Sequence, residues 1–206
     1  MSVDDAAKRI SYSFQKNLRL DEPSRQVIQY SLTMALAAAL SAGLTAMAGW
    51  LVGAFWPTIV AASSSAWLRN FSGGAHCSSA GRCAVAGAVS APLLGLTALH
   101  GAKIMGNWNY ALIALITITS LCIMFKHAPD EAPEKPIPAR RKPVLRKRSM
   151  LWVMVLGALS LPMTAHIPWL GVSITLGMLW QCFTLLPAGH GFVSFIDNLL
   201  SRWIHI

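Results

Sequence analysis

A short polar segment between two long apolar stretches holds the residues best suited to catalysis. Residues 69–83 read Arg-Asn-Phe-Ser-Gly-Gly-Ala-His-Cys-Ser-Ser-Ala-Gly-Arg-Cys and include two of the chain's four cysteines and one of its six histidines. A cysteine attacks as its thiolate, which a neighbouring base or positive charge favours. His76 can supply the base and Arg82 can add positive potential. Cys83 is predicted to open an apolar helix, whose N-terminal amides also favour an anion.

The spacing between His76 and Cys83 sets a condition on this chemistry. On a straight helix, seven residues separate two side chains by about 10.5 Å along the axis, which is too far for a hydrogen bond. Residues 77–82 must therefore form a loop or a broken helix, and their serines and glycine permit such a bend. Gly73 and Gly74 let the backbone turn just before the histidine.

The elements that position this segment are predicted to be membrane helices. Of the 206 residues, 54% are apolar and 12% are charged, whereas about 25% are charged in a typical soluble domain. No Asp, Glu, Lys or Arg occurs in residues 26–68, 83–102, 104–125 and 149–196. A membrane-crossing helix needs roughly 20 residues, so these runs hold about two, one, one and two crossings. We therefore predict an all-α integral membrane protein with about six transmembrane helices.

The basic residues predict the orientation of the chain in the membrane. With six crossings, 16 of the 17 Lys and Arg residues fall on one side of the membrane and only Lys103 on the other. The positive-inside rule makes the crowded side cytoplasmic. We therefore expect both termini and the segment 69–83 on the cytoplasmic side of the cell membrane. The net charge of +9 also favours contact with anionic membrane lipid.

Two further segments flank the predicted helices within a single membrane domain that covers residues 1–206. Residues 1–24 place apolar side chains on one helical face and basic ones elsewhere, which predicts an amphipathic helix lying on the membrane surface. Residues 126–149 are basic and proline-rich, which predicts an extended cytoplasmic loop. We expect no nucleic-acid partner, because the basic residues lie next to the membrane and not on a folded soluble surface.

On the residues alone, other interpretations of the polar segment stay open. It can be a glycine-rich turn whose histidine and cysteines are incidental. Cys77, adjacent to His76, is a rival nucleophile. His76, Cys77 and Cys83 are three ligands suited to zinc, although their spacing matches no usual zinc pattern. A disulfide between the two cysteines is disfavoured, because the predicted face of the membrane is reducing.

The segment is similar to the signature of the AgrB family (accessory gene regulator protein B), which are membrane cysteine endopeptidases of Gram-positive quorum-sensing systems. The family pattern has an Arg, then Gly-x-His, then a Cys seven residues after the His. Here these are Arg69, the tripeptide Gly-Ala-His ending at His76, and Cys83. The resemblance implies that His76 and Cys83 are the catalytic residues.

A second resemblance to the same family lies some fifty residues further on. Residues 127–138 read His-Ala-Pro-Asp-Glu-Ala-Pro-Glu-Lys-Pro-Ile-Pro and look like the family's Ala-Pro…Lys-Pro-Ile loop. Together with the length and the helix pattern, the two motifs extend the resemblance over nearly the whole chain. The chain departs from the family at Thr33, where many members carry Glu or Gln, so the resemblance supplies no third catalytic group.

The resemblance also implies a substrate and a reaction. The substrate is an AgrD-like propeptide with an amphipathic leader, a central Cys-containing signal segment and an acidic tail. Cys83 would attack the carbonyl between signal and tail, form a thioester and release the tail. The propeptide's own Cys or Ser would then close a thiolactone or lactone ring. His76 would take the proton from Cys83 and return it to the leaving amine.

Supporting roles follow from the same scheme. Arg69, Gly73, Gly74 and Arg82 are candidates for holding the loop, stabilising the oxyanion or favouring the thiolate. Six basic residues are candidates for binding the acidic tail of the propeptide, although a solvated charge run next to the lipid is the simpler interpretation. These are Arg140, Arg141, Lys142, Arg146, Lys147 and Arg148. We expect no metal ion and no cofactor.

Other functional classes remain alternatives to a peptidase. The first is a non-enzymatic membrane transporter or partner-binding protein, and the second is a metal-dependent membrane enzyme. Transport of ions is disfavoured, because transporters place ionisable groups at the membrane midplane and the four apolar runs contain no Asp, Glu, Lys or Arg. Small residues in the predicted helices permit close packing and hence a homodimer.

Overall fold

The computed structural model describes residues 3–131 and 137–202, and these residues form eight helices joined by short connections. No strand occurs in the described residues, so the predicted all-α class is confirmed. In chain order the helices are α1 (Val3–Leu18), α2 (Glu22–Leu51), α3 (Phe55–Ser72), α4 (Ala80–Met105), α5 (Trp108–His127), α6 (Lys142–His166), α7 (Pro168–Phe183) and α8 (Pro187–Ser201).

Several of these helices suit a membrane protein, although their number is slightly smaller than six. Within the described residues, α2, α4, α5 and α6 are each long and apolar enough to cross a membrane. Helices α7 and α8 meet at a bend of 88° and satisfy the same criterion only as a pair, which raises the number to five. The difference comes from α3, whose 18 residues include three consecutive serines and Arg69, and from α7, which has only 16 residues.

Helices α3 and α7 can be shorter or more polar because they form the inner pair of the bundle. Helix α3 packs against α2, α4, α6 and α7, and α7 also packs against α4, α5 and α6. Two glycines permit these close approaches. A Cβ at Gly177 of α7 would collide with the Ala61 carbonyl oxygen, and a Cβ at Gly95 of α4 would collide with Thr58. Such small-residue contacts are typical of helix packing in membranes.

The N-terminal helix α1 is amphipathic, in agreement with the sequence pattern, and packs against α2. Ala7 and Ser11 are buried, whereas Ile10, Phe14 and Leu18 leave an exposed apolar surface. An exposed apolar stripe on a helix with a basic opposite face suits a position at the lipid surface.

The basic segment after α5 is more helical than predicted. The connection covers residues 128–141 and not 126–149, because α6 begins at Lys142. Pro143 lies in the first turn of α6, where the missing amide hydrogen breaks no helical hydrogen bond. The proline-rich composition therefore predicted a loop where the first turns of α6 lie. Residues 132–136, which carry the Lys and a Pro of the second family motif, lie outside the described residues.

Candidate active site

The polar segment lies where α3 ends and α4 begins. Helix α3 ends at Ser72, and residues 73–79 form a non-helical loop. Ser79 caps α4, since its hydroxyl accepts a hydrogen bond from the Arg82 amide at 3.2 Å. The chain therefore bends between His76 and Cys83, as their spacing of seven residues requires. Backbone hydrogen bonds bring the C-terminal ends of α5 and α7 to the same place, which we call the site end of the bundle.

Two glycines turn the chain at the start of this loop. Gly73 has φ 69° and ψ −149°, and Gly74 has φ 129°, conformations that favour glycine. A Cβ at Gly73 would collide with the Asp130 carbonyl oxygen, and a Cβ at Gly74 would lie 2.6 Å from Thr184 Oγ1. The Asp130 amide also donates to the Ser72 carbonyl oxygen at 2.8 Å. The turn therefore requires glycine both for its backbone angles and for its close neighbours.

Buried polar groups near the C-terminal end of α7 hold the turn in place. The fully buried amide of Gln181 donates to the Gly73 carbonyl oxygen at 2.6 Å and to Ser72 Oγ at 3.0 Å. The Thr184 carbonyl oxygen accepts from the Ala75 amide at 3.0 Å. Sequence reasoning missed these residues. Gln181 carried a usable signal, because a lone amide side chain inside a charge-free apolar run must find hydrogen-bond partners.

Arg69 orients His76 from the last turns of α3. The half-buried guanidinium donates to the carbonyl oxygens of Gly74 and Ala75, and its Nη2 lies 3.0 Å from His76 Nδ1. A guanidinium can only donate, so His76 Nδ1 accepts this hydrogen bond. The neutral imidazole consequently carries its proton on Nε2. Arg69 therefore fixes both the loop backbone and the tautomer of the histidine.

Cys83 lies in the first turn of α4, among polar groups of the loop. The side chains of His76 and Cys77 are within hydrogen-bonding reach of its sulfur, and the Arg69 guanidinium acts on it electrostatically. The predicted histidine and cysteine are thus brought together. An imidazole and a positive charge beside a thiol favour its thiolate form.

The surroundings of Cys77 favour its protonated thiol. Its thiol donates a hydrogen bond to Cys83, and this bond raises the pKa of Cys77, with further contributions from burial and from the negative charge on Cys83. A thiol with a raised pKa stays protonated at neutral pH, and the protonated form does not attack. The two cysteines are therefore the donor and the acceptor of one hydrogen bond.

Arg82 links the loop to α8 through an ion pair with Asp197. Its Nη1 lies 3.3 Å from Asp197 Oδ1, and its Nη2 donates to Ser78 Oγ at 2.7 Å. Asp197 Oδ2 also accepts from the Ser78 amide at 3.2 Å and from the Ser78 hydroxyl at 2.7 Å. The sequence suggested that Arg82 supplies positive potential to Cys83. In the structure the Arg82 charge is paired with Asp197, and the guanidinium that acts on Cys83 belongs to Arg69.

Six basic residues were predicted to bind an acidic tail. The side chains of two of them contact other groups among the described residues. Lys142 forms an ion pair with Glu131, which lowers the pKa of the Glu131 carboxyl, and Arg146 donates to the Ala128 carbonyl oxygen at 2.8 Å. These two contacts hold the connection between α5 and α6 beside the glycine turn. The other four residues are exposed, namely Arg140, Arg141, Lys147 and Arg148.

The metal-site and disulfide interpretations find no support in the geometry. Among residues 3–131 and 137–202, no group of three His, Cys, Asp or Glu side chains is placed to hold a metal ion. Cys77 and Cys83 are both free thiols. Thr33, the position at which the sequence departs from the family pattern, lines a separate cavity with Arg25 and Gln29.

The chain is similar to known proteins along nearly its whole length. The family model of accessory gene regulator B matches residues 7–185. A "Putative AgrB-like protein" of Clostridium perfringens (strain SM101 / Type A) is 25% identical over 213 residues, which cover 97% of this chain and 99% of that protein. A "Putative AgrB-like protein 2" of Clostridium perfringens (strain 13 / Type A) is 24% identical with the same coverage. No solved structure matches the chain. Since the match includes all of α2 to α7 and the polar segment, the chain belongs to the accessory gene regulator B family.

Proposed function

We propose that this protein is a membrane cysteine endopeptidase that removes the acidic C-terminal tail from an AgrD-like propeptide and promotes cyclisation of the signal segment. The observation that carries the proposal is the cluster at the site end, where a free cysteine in the first turn of a helix meets an imidazole and a guanidinium. Membership of the accessory gene regulator B family supports the same general activity.

The first step is attack by the Cys83 sulfur on the carbonyl carbon at the junction of signal and tail. His76 takes the Cys83 proton on Nδ1, the ring nitrogen that carries none, as the Arg69 contact with that nitrogen opens. A carbon–sulfur bond forms, and the carbon–nitrogen bond of the peptide breaks. The tail leaves as an amine that receives the proton from His76. The product of this step is a thioester between Cys83 and the signal segment.

Arg69 has two successive roles in this step. In the resting site it donates to Nδ1 of the neutral imidazole. When His76 accepts the proton, both of its ring nitrogens become donors and the contact with Arg69 has to open. The released guanidinium is then available for the negative charge that develops on the substrate carbonyl oxygen.

The second step closes the ring. The propeptide's own Cys thiol, or a Ser hydroxyl, attacks the thioester carbonyl and gives its proton to His76, and the Cys83 thiolate leaves. The product is a thiolactone or a lactone, and no water is consumed. A site at the end of a helix bundle within the membrane favours this outcome, because restricted access of water protects the thioester from hydrolysis.

We further propose that the site end faces the cytoplasm and that the protein crosses the cell membrane several times. The exposed basic residues at this end support the orientation. They are also suited to hold the acidic tail, because they have no side-chain partners within the described parts of the chain. These residues are Arg140, Arg141, Lys147 and Arg148. Contact with lipid and formation of a homodimer stay predictions.

A processing assay with the purified full-length protein in lipid nanodiscs tests the nucleophile. A synthetic propeptide with an amphipathic leader, an internal cysteine and an acidic tail is added, and tail release is followed by mass spectrometry. We expect Cys83→Ala to abolish tail release without loss of expression. The matched control Cys77→Ala should lose about tenfold at most, because it removes a single hydrogen bond to Cys83. Undiminished release by Cys83→Ala would contradict the assignment.

A further inference from the structure

Two neighbouring cavities, which share Ser90, Leu94 and Trp180 in their walls, each have one cysteine of the pair in their lining. The first, of about 450 Å³, is enclosed mainly by α2, α3 and α4, and both Cys83 and Arg69 line it. The second, of about 370 Å³, lies between α4, α7 and α8, and Cys77 lines it. The nucleophile of the proposed reaction is therefore part of the wall of the first cavity and not of the second.

The first cavity exists because small side chains share one face of α4. Cys83, Gly87 and Ala91 follow one another at intervals of four residues, so they lie one above the other on the helix. A Cβ at Gly87 would have Ser41 Oγ at 3.7 Å as its nearest neighbour, which is an ordinary contact. Alanines and serines of α2 and α3 complete the opposite walls. The space thus begins at the nucleophile and extends along α4 into the bundle.

We propose that this cavity binds the side chain of the substrate residue whose carbonyl Cys83 attacks, and that it selects a large apolar side chain. The lining is largely aliphatic, with a few hydroxyl groups, so a side chain of leucine or phenylalanine type suits it. This inference rests on the proposed function, because it takes Cys83 as the nucleophile.

The position of Arg69 favours a substrate side chain over a lipid tail as the occupant. Arg69 and Cys83 line the same cavity, so a residue whose side chain enters it places its carbonyl group beside both the sulfur and the guanidinium. A lipid tail offers no polar group for the half-buried guanidinium. A substrate residue with an apolar side chain therefore suits this region in two ways. Its side chain fits the cavity, and its carbonyl group lies beside the positive charge of Arg69.

The test uses three small reagents that alkylate a thiolate without any need for a propeptide. They are the chloromethyl ketones of N-acetyl-phenylalanine and of N-acetyl-alanine, and iodoacetamide, which carries no side chain. In each case the cysteine sulfur forms a bond to the methylene carbon and a halide ion leaves. The full-length protein is held in lipid nanodiscs, and alkylation of Cys83 is followed by mass spectrometry.

We expect the phenylalanyl reagent to alkylate Cys83 about tenfold faster than the alanyl reagent in the unaltered protein. Gly87→Leu should remove this preference, because the new side chain fills the cavity one turn from Cys83. Ala86→Leu is the matched control on the same turn, since Ala86 lines the second cavity, and it should retain the preference. Iodoacetamide should react with Cys83 at the unaltered rate in Ala86→Leu and should still alkylate it in Gly87→Leu, which shows that both variants are folded.

The remaining outcomes separate this inference from the proposed function. Equal rates with the two ketones, expected if lipid fills the cavity, would overturn the side-chain site while iodoacetamide still reacts with Cys83. A preference lost in Ala86→Leu and kept in Gly87→Leu would also overturn it, because the second cavity would then be the one that selects. Failure of all three reagents to alkylate Cys83 would contradict the nucleophile itself.

Discussion

At the scale of single residues, the candidate site depends on contacts that come from distant parts of the chain. His76 and Cys83 were candidates from their types and spacing, and the resemblance to the family pattern favoured Cys83 over Cys77. Gln181 and Asp197, which hold the loop, lie more than one hundred residues further along. The sequence places the reactive groups because they are close in the chain. The roles of Gln181 and Asp197 could not be predicted in this way, because their contacts with the loop exist only after the helices have packed.

Gly73 is the residue at which a minimal substitution should do most damage. In Gly73→Ala the new Cβ meets the Asp130 carbonyl oxygen, and the backbone angles are strained for any residue with a side chain. Such strain costs about 1–3 kcal/mol. A catalytic group displaced by about 1 Å reduces the rate roughly 100-fold. We therefore expect tail release to fall about 100-fold.

Gly43→Ala is the matched control for this substitution. Gly43 lies within α2, and a Cβ there has no neighbour within 4 Å. We expect unchanged tail release and a helix stabilised by about 0.5–1 kcal/mol. Thermal unfolding in detergent and the processing assay measure both effects. Equal activity in the two glycine variants would mean that the turn at Gly73 does not position the site.

At the scale of elements, α8 has a larger part in the site than its position in the chain suggests. It begins after residue 185, at which the family match ends. Asp197 binds the loop through Ser78 and Arg82, and His190 Nε2 lies 2.8 Å from Asp130 Oδ2. Helix α8 thus connects the loop of residues 73–79 to the connection between α5 and α6.

We expect Asp197→Ala to lower kcat for tail release about tenfold and to leave KM nearly unchanged, because the carboxylate positions the loop and does not touch the substrate. Asp197→Asn should recover part of the loss, since an amide oxygen still accepts from Ser78. Asn198→Ala, at the exposed neighbouring position, is the control. A loss confined to KM, or no recovery with asparagine, would argue against a positioning role.

Most helices were predictable from the sequence, but their ends were less so. Long charge-free runs gave the apolar helices, because charged residues are excluded from the hydrocarbon core. The start of α6 at Lys142 was missed, since basic residues and prolines are equally compatible with a loop and with a first helical turn. The bend of 88° between α7 and α8 lies inside an uninterrupted apolar run, which holds no charged residue to mark it.

At the scale of the whole molecule, the proposed orientation can be tested by chemical labelling. In a variant without the native cysteines, Asn107→Cys marks the exposed turn between α4 and α5, and Ala139→Cys marks the exposed connection before α6. We expect a membrane-impermeant maleimide to label Asn107→Cys in intact cells and Ala139→Cys only after permeabilisation. The reverse pattern would place the site end outside the cell.

The residues of α7 and α8 that hold the loop are synthesised after the loop itself. The loop of residues 73–79 is synthesised before Gln181, Thr184 and Asp197, which follow it by more than one hundred residues. Until those residues have packed, the glycine turn lacks its contacts with Gln181 and Thr184, and Ser78 lacks its contact with Asp197. We therefore expect the arrangement of residues 69–83 to be completed only after α7 and α8 have packed.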